Sequence, residues 1–303
     1  MPELIHGGAI INGVRLHYAE AGDGPLVVLL HGFPEFWYSW REQIPTLVEA
    51  GYRVVAPDLR GYNSSEKPNG VEQYSLDKLV GDVVGLIDHF GEERAHIVGH
   101  DWGGVITWEV AIRHPERVKK LAVLNAPHPG RFREAVRTPD QLRRSWYALF
   151  FQLPWLPERL LSVRDYTPIR ELFRNAPETP DAFSESDVRR YVEAAAQPGA
   201  LKGAINYYRA LFRDGVAREL RTLFDGSTQD FDVEVPTLLI WGDEDSALGT
   251  ELTEGVERWV PDIRIERLPD ASHWVQNDAP ERVNDLLVEY FEANRFHPEN
   301  GRE

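Results

Sequence analysis

The stretch HIVGHDWGGVITWEV, residues 96–110, places a Gly-x-Asp-x-Gly pattern between a short apolar run and a helix-forming run. The apolar run before Gly99 is typical of a buried strand, so the pattern predicts a sharp strand-to-helix turn with Asp101 at its apex. Alone, this signal is weak, because Gly and Asp are common and an Asp before a helix is also a good N-cap. Its meaning depends on the surrounding sequence.

Further short apolar runs indicate more buried strands. They lack the polar alternation of a half-exposed strand, and they are LVVLL (26–30), YRVVAPD (52–58), LAVLNAP (121–127) and VPTLLIWGDED (235–245). IRIERLPD (263–270) indicates a further short strand. Helical patterns such as SLDKLVGDVVGLIDHFG (75–91) lie between them. Strands that alternate with helices predict an α/β fold with a mostly parallel sheet flanked by helices. An Asn12-Gly13 turn between alternating runs predicts a hairpin at the start.

The pattern changes between residues 128 and 232. Helical segments rich in Arg and aromatic residues, broken by prolines, replace the strands. The strand pattern resumes after residue 232. We therefore predict one core, residues 1–127 and 233–296, interrupted by a helical cap, residues 128–232. Residues 297–303 are predicted to form a frayed C-terminal tail.

The composition excludes several classes of function. The chain has 303 residues, of which 42% are hydrophobic and 27% charged, as in an ordinary globular protein. A net charge of −16 argues against nucleic acid or an anionic membrane as a partner. The absence of cysteine excludes disulfides, thiol catalysis and cysteine-ligated metals. No targeting or membrane-spanning pattern is evident, so we expect a cytoplasmic protein, a monomer or a homodimer.

Polar candidates follow four of the predicted strands. In α/β folds, functional sites gather at the carboxyl ends of the strands. The candidates are the loop His31-Gly32-Phe33-Pro34, Asp101, Asp245 and His273. The order nucleophile, acid, histidine matches that of enzymes with a nucleophile elbow, where Ser usually stands in place of Asp101. A solvated loop carboxylate at Asp245 and a structural histidine at His273 are the competing interpretations.

The motifs HGFPE, DLRGY, GHDWGG, LNAPHP, NYYR and SHWVQNDAPERVN resemble those of the epoxide hydrolases of the α/β-hydrolase superfamily, over nearly the whole chain. The Asp-Trp elbow together with the His-Trp segment is the more specific part, whereas HGFP and DLRGY mark the superfamily. Asn63 stands where the family usually has Gly, and Asn tolerates a left-handed turn. The resemblance implies an α/β-hydrolase fold with a helical cap inserted after the strand that follows the nucleophile helix.

A carboxylate at the elbow indicates chemistry at a saturated carbon. Asp101 would open an epoxide and form an alkyl ester. Water activated by His273, which Asp245 orients, would then hydrolyse the ester to a vicinal diol. The backbone N–H of Trp102, and by family resemblance that of Phe33, would form the oxyanion hole. The scheme uses no cofactor and no metal.

Ring opening also requires a proton donor. The resemblance assigns this role to Tyr147 and Tyr208 in the cap. The residue pattern alone leaves Tyr207 and Tyr208 open, because adjacent helical residues point about 100° apart, and the family's Asn-Trp-Tyr-Arg pattern favours Tyr208. We expect Tyr166 and Tyr191 to pack within the cap.

Aromatic residues near the oxyanion loop predict an apolar pocket for a small apolar epoxide. Phe33, Phe36, Trp37 and Trp102 lie near the elbow or this loop, Phe36 and Trp37 are the candidates for the pocket walls, and packing in the core is the competing interpretation. The tight turn after Gly32, together with the resemblance, also predicts a cis peptide bond between Phe33 and Pro34.

Three other functions compete with epoxide hydrolysis. Haloalkane dehalogenases resemble the chain in nucleophile, acid and histidine, but they bind halide with the Trp after the nucleophile plus an Asn where Phe33 stands, or a Trp from the cap. Fluoroacetate dehalogenases have Arg residues just past the nucleophile, and residues 102–105 contain none. A non-catalytic binding protein on this scaffold often lacks a catalytic group, whereas all five are present here.

Overall fold

The computed structural model describes residues 3–225 and 230–293, with side chains as far as residue 215 and again from residue 230. Eight strands form one sheet in the order β1-β2-β4-β3-β5-β6-β7-β8. Their bounds are β1 (Ile5–Ile11), β2 (Val14–Ala21), β3 (Leu26–Leu30), β4 (Arg53–Pro57), β5 (Ala95–His100), β6 (Val118–Leu124), β7 (Thr237–Gly242) and β8 (Ile263–Leu268).

The sheet is mostly parallel, as predicted. Strands β4, β3, β5, β6, β7 and β8 pair in parallel, and only β1–β2 and β2–β4 are antiparallel. Asn12 and Gly13 both have positive φ in the turn between β1 and β2. The predicted hairpin is therefore confirmed.

Helices cover both faces of the sheet. They are α1 (Gln43–Glu49), α2 (Leu76–His89), α3 (Trp102–Arg113), α10 (Val275–Asp278) and α11 (Pro280–Glu292). Alternate side chains of β3 point to opposite faces. Leu26, Val28 and Leu30 pack in the apolar cluster of α2 and α3, and Val27 and Leu29 pack in that of α1 and α11. This two-sided burial explains why the strand is apolar at every position.

The described residues between β6 and β7 form six helices, which we call the cap helices. They are α4 (Pro129–Ala135), α5 (Pro139–Arg144), α6 (Trp146–Phe150), α7 (Leu156–Asn175), α8 (Glu185–Ala195) and α9 (Ala200–Asp225). Within α7 the backbone leaves helical geometry at Val163–Tyr166, just before Pro168. A proline restricts the residues before it and removes a helical donor, which favours a break there.

The α/β-hydrolase fold with an inserted helical cap is confirmed. The boundaries at residues 127/128 and 232/233 stay a prediction, and the predicted tail, 297–303, lies outside the described residues.

Short 3-10 turns complete the secondary structure at Trp37–Trp40, Val71–Tyr74, Pro115–Arg117, Thr250–Thr253 and Val256–Arg258. In the part of the chain that the structure describes, no helix combines the length and apolarity needed to cross a bilayer.

We expect Gly103→Ala to destabilise the fold strongly. A Cβ on Gly103 would lie 2.0 Å from the carbonyl oxygen of Leu30, so the central strand and α3 would have to move apart. Forced overpacking of this kind should lower the free energy of unfolding by about 3 kcal/mol, measured by urea denaturation. Gly215→Ala is the control, because its added Cβ meets no atom of another described segment within 4 Å. Equal stability of both variants would contradict the prediction.

Candidate active site

Asp101 lies at the apex of the turn between β5 and α3. Its φ of 46° and ψ of −115° fall in a region that residues other than glycine avoid. Glycine makes the turn possible, because a Cβ on Gly99 would lie 2.3 Å from the carbonyl oxygen of Gly103. The carboxylate is thereby presented at the carboxyl edge of the sheet.

Two backbone N–H groups hold the Asp101 carboxylate. The Phe33 N–H donates to Oδ2 at 2.7 Å, and the Trp102 N–H also donates to the carboxylate. The loop approaches so closely that a Cβ on Gly32 would lie 2.5 Å from that of Asp101. The Phe33–Pro34 peptide bond is cis, as predicted. The structure therefore brings both predicted oxyanion donors to Asp101.

Asp245, His273 and Asp101 form a chain of polar contacts. His273 Nδ1 lies 2.6 Å from Asp245 Oδ2, and its Nε2 lies 3.9 Å from Asp101 Oδ1. Burial by itself lowers the pKa of His273, but the neighbouring carboxylates outweigh it and raise this pKa to about 9. With both carboxylates ionised, His273 is therefore protonated at neutral pH.

Asp245 is buried, and both its oxygens are satisfied. Oδ1 accepts the N–H groups of Ala247 and Leu248, at 2.8 and 2.9 Å, and Oδ2 also accepts the Asn125 amide at 2.8 Å. Burial disfavours the carboxylate, yet His273 and these donors together lower its pKa. A solvated loop carboxylate does not fit this position.

Burial also affects the charge of Asp101. Desolvation raises its pKa, and this effect exceeds the opposing effects of His273, His100 and the two N–H donors. The carboxylate is therefore less stabilised than that of Asp245. A less stabilised anion is the more reactive nucleophile.

Tyr147 and Tyr208 line the same cavity as Asp101, and their ring centroids lie 5.9 Å apart. Burial, with the charge of Asp101, raises the pKa of both phenols, which keeps them protonated. The Tyr207 hydroxyl instead donates to the carbonyl of Arg60 at 2.8 Å, inside the core. Of the two adjacent tyrosines, only Tyr208 faces the cavity.

The cavity lies between the sheet and the cap helices and has a volume of about 340 Å³. Its walls are mostly apolar, and they include Leu76, Trp102, Val105, Ala126, Phe132, Ala148, Leu211, Phe231 and Leu248. A cavity of this size and character suits a small apolar ligand.

Phe36 and Trp37, which we predicted to line the pocket, are not among its lining residues. The turn after Pro34 carries them away from Asp101 and under the cap. Phe36 packs edge-on against Tyr191 at 5.4 Å, and Trp37 packs against His6 at 5.0 Å. The prediction was wrong because closeness in sequence to the oxyanion loop does not fix which way a side chain points.

Tyr191 and Tyr166 pack within the cap, as predicted. The ring of Tyr191 stacks on Phe173 at 4.2 Å. Tyr166 packs against the same apolar cluster. Neither residue lines the cavity that contains Asp101.

Sequence reasoning missed a buried ion pair beside the site. Glu35 Oε2 accepts the Gly32 N–H at 2.9 Å and lies 2.8 Å from His100 Nδ1. His100 Nε2 lies 2.8 Å from the carbonyl oxygen of His273. Burial raises the pKa of Glu35, but His100 and Gly32 outweigh it and lower this pKa to about 2. The pair connects the oxyanion loop to the segment that carries His273.

The signal for this pair was present in the sequence. Glu35 belongs to HGFPE and His100 to GHDWGG, so each is close in sequence to a predicted site residue. Asn125, also missed, directly follows β6. A polar residue at a strand end or inside a motif was the available clue.

Among the described residues, no cluster of three or more His, Asp or Glu side chains could hold a metal ion.

Residues 25–280 match the model of the α/β hydrolase fold family. The chain is 44% identical to the AB hydrolase superfamily protein YfhM of Bacillus subtilis, over 92% of this chain and 95% of that protein. It is 40% identical to epoxide hydrolase 4 of Homo sapiens, over 91% of this chain and 75% of that protein. The chain belongs to the epoxide hydrolases of the α/β-hydrolase family.

Solved structures agree with this assignment. An epoxide hydrolase from Bacillus megaterium, in complex with an inhibitor, superposes with a TM-score of 0.84 at 33% identity, over 94% of this chain and all of that one. Epoxide hydrolase A from Mycobacterium thermoresistibile superposes with a TM-score of 0.82 at 32% identity, over 96% of this chain and 98% of that one. The resemblance inferred from the motifs is thus confirmed.

We expect Asp245→Asn to lower the pKa of His273 from about 9 to near or below the ordinary value of 6.5. Asp245 raises this pKa most, and the substitution removes its charge while keeping its shape. Imidazole NMR titration, with the His273 signal assigned from a His273→Gln spectrum, measures the change. Asp243→Asn is the control, because Asp243 pairs with Arg267 instead. An unchanged His273 titration in Asp245→Asn would refute the electrostatic assignment.

Proposed function

We propose that this enzyme hydrolyses an epoxide to a vicinal diol through a covalent ester on Asp101. The observation that carries the proposal is a carboxylate on the elbow, its side chain only 18% exposed, in an apolar cavity that two tyrosines also line. A carboxylate can displace a leaving group at a saturated carbon without a base. An epoxide oxygen leaves as an alkoxide, so it needs the proton donors that the tyrosines supply.

In the first step, Oδ1 of Asp101 attacks a ring carbon. Oδ2 is held by the Phe33 N–H, whereas Oδ1 is the oxygen nearer to His273. The bond between that carbon and the ring oxygen breaks, and Tyr147 or Tyr208 protonates the oxygen. Oδ2 becomes the carbonyl oxygen of the ester, already bound by the Phe33 N–H.

Ester formation also prepares His273 for the second step. The resting pKa of about 9 depends in part on the negative charge of Asp101. Alkylation removes that charge, so the pKa of His273 falls and the imidazolium releases a proton, which balances the one taken from the tyrosine. The neutral imidazole can then act as a base.

In the second step, His273 Nε2 takes a proton from water and the hydroxide attacks the ester carbonyl. The charge that develops on Oδ2 is stabilised by the N–H groups of Phe33 and Trp102, and losing such a donor costs about 10²–10³ in rate. The bond between the carbonyl carbon and the alkyl oxygen breaks. The imidazolium protonates the departing alcohol, which leaves as the diol and restores Asp101.

The contacts of Trp102 favour an epoxide over a haloalkane. Halide binding would use its indole N–H, but the Trp102 ring lies edge-on to that of Tyr208, with the ring centroids 4.9 Å apart, and its donor opposes the rise in the pKa of the Tyr208 phenol. An indole nitrogen only donates, so the O–H of Tyr208 stays available for the substrate. A binding protein would not need this arrangement.

The tyrosines are expected to act in ring opening. Tyr147→Phe and Tyr208→Phe should each slow single-turnover alkylation by styrene oxide by about 10²-fold, because each removes a proton donor. The double variant should nearly abolish alkylation. Tyr166→Phe is the matched control and should react at the wild-type rate. Wild-type alkylation by the double variant would place the proton donors elsewhere.

His273→Gln should open one equivalent of epoxide and then stop. Attack by Asp101 needs no base, whereas ester hydrolysis does. Intact-mass spectrometry should show the protein heavier by one whole substrate, with the adduct on the peptide that contains Asp101. Asp101→Asn, tested promptly after purification, should show neither adduct nor turnover.

Two outcomes would contradict this mechanism. Undiminished turnover by His273→Gln would mean that the base is misassigned. A folded His273→Gln protein that binds epoxide but forms no adduct on Asp101 would exclude the covalent route. Release of halide from a haloalkane, with an adduct that lacks the halogen, would instead identify a dehalogenase.

A further inference from the structure

Large apolar side chains are exposed on the outer surface of the cap helices. Two of them are tryptophans, with exposed fractions of 63% for Trp146 and 61% for Trp155. Tryptophan is usually more buried, so this exposure needs an explanation. We call the set the cap patch, and its members are Leu142, Trp146, Leu149, Leu153, Trp155, Leu160, Val163 and Phe212. Outside it, the large exposed apolar residues of the described chain are Ile5 and Ile10 on β1.

The cap patch lies on the outside of the wall whose inside is the cavity that contains Asp101. Trp146 and Leu149 are three residues apart in α6, which places them on one helical face, and Leu142 lies on the preceding helix, α5. Tyr147 and Ala148, on the other face, line the cavity. One short helical segment thus separates the cavity from the cap patch.

Contacts with α9 connect the remaining part of the cap patch. Gln152 donates to the carbonyl of Tyr208 at 3.2 Å, and Arg209 donates to that of Leu153 at 2.6 Å. Phe212 lies one turn after Tyr208 and is also exposed. The segment that carries Leu153 is therefore held against α9, the helix that carries Phe212.

The charge of this region is opposite to that of the whole chain. Residues 137–164 contain five arginines and two acidic residues, a local charge of +3 in a chain of net charge −16. Glu158, one of the acidic residues, is paired with Arg209 at 2.6 Å. The guanidinium of Arg159 lies over the Trp155 ring at 5.0 Å. Three exposed arginines form no ion pair in the described part of the chain, and they are Arg143, Arg164 and Arg213.

We propose that the cap patch docks peripherally on an anionic lipid bilayer. Exposed Trp and Leu beside Arg is the composition that favours the headgroup region, where the rings enter and the guanidinium groups meet phosphates. The net charge of −16 is a sum over the whole chain and does not exclude an anionic bilayer at this one surface. Charges more than about 8 Å away are largely screened at physiological salt.

Docking would place the enzyme at a reservoir of its substrate. Apolar epoxides partition into bilayers, and the helix that carries Tyr147 would then lie between the lipid and the cavity. This consequence rests on the proposed epoxide hydrolysis, whereas the docking itself does not. Vesicle binding and turnover of a water-soluble epoxide therefore test the two proposals separately.

Co-sedimentation of the full chain with phosphatidylcholine vesicles that contain phosphatidylglycerol tests the docking. We expect binding that weakens at least tenfold when the anionic lipid is omitted, and severalfold when salt is raised, because each arginine near the surface contributes to the attraction. The variant Trp146→Ser/Trp155→Ser should bind at least tenfold more weakly. Arg143→Gln/Arg164→Gln should lose the dependence on anionic lipid.

The matched control is Ile5→Ser/Ile10→Ser, which removes equally exposed apolar side chains from β1, at one edge of the sheet, and should bind like wild type. Circular dichroism and turnover of soluble styrene oxide verify that each variant is folded. Absence of wild-type vesicle binding would overturn the proposal. Light scattering would also overturn it if it showed that the wild type forms a dimer, that Trp146→Ser/Trp155→Ser is a monomer, and that the wild type does not bind vesicles.

Discussion

The close approach of two backbone segments at the elbow is the constraint on which the site depends. Gly103 lets α3 begin against the end of β3, where a Cβ would lie 2.0 Å from the Leu30 carbonyl oxygen. The same approach places the Phe33 N–H within 2.7 Å of the Asp101 carboxylate. The strained backbone of Asp101 is retained because the surrounding sheet overdetermines it. Fold stability and the environment of Asp101 therefore depend on the same few atoms.

The electrostatics of the site follow from burial with alternating charge. In space, His273 lies between Asp101 and Asp245, so a cation lies between two anions. Glu35 and His100 form a second buried pair beside them. In such a chain each charge stabilises its neighbour, so removing one charge changes the protonation of the next. This coupling gives the proposed two-step reaction its order. In that reaction, neutralising Asp101 is the event that makes His273 a base.

The cap helices contribute two different surfaces. Their inner face brings Tyr147 and Tyr208 into an apolar cavity where the phenols stay protonated. Their outer face exposes tryptophan, leucine and arginines that form no ion pair with the residues that the structure describes. A short amphipathic segment can serve both faces because helical periodicity points adjacent residues in different directions. Trp146 accordingly faces outward, whereas its neighbour Tyr147 lines the cavity.

The sequence by itself determined the α/β class, the mostly parallel sheet, the presence of a helical cap and the places of Asp101, Asp245 and His273 after strands. These features depend on local periodicity and on residues that follow strands, so they are readable along the chain. Only the tertiary structure decided between Tyr207 and Tyr208 from their contacts, brought Glu35 to His100, and turned Phe36 and Trp37 away from the cavity. Each of these depends on which element packs against which, because a side chain's partner is set by contacts between segments distant in sequence.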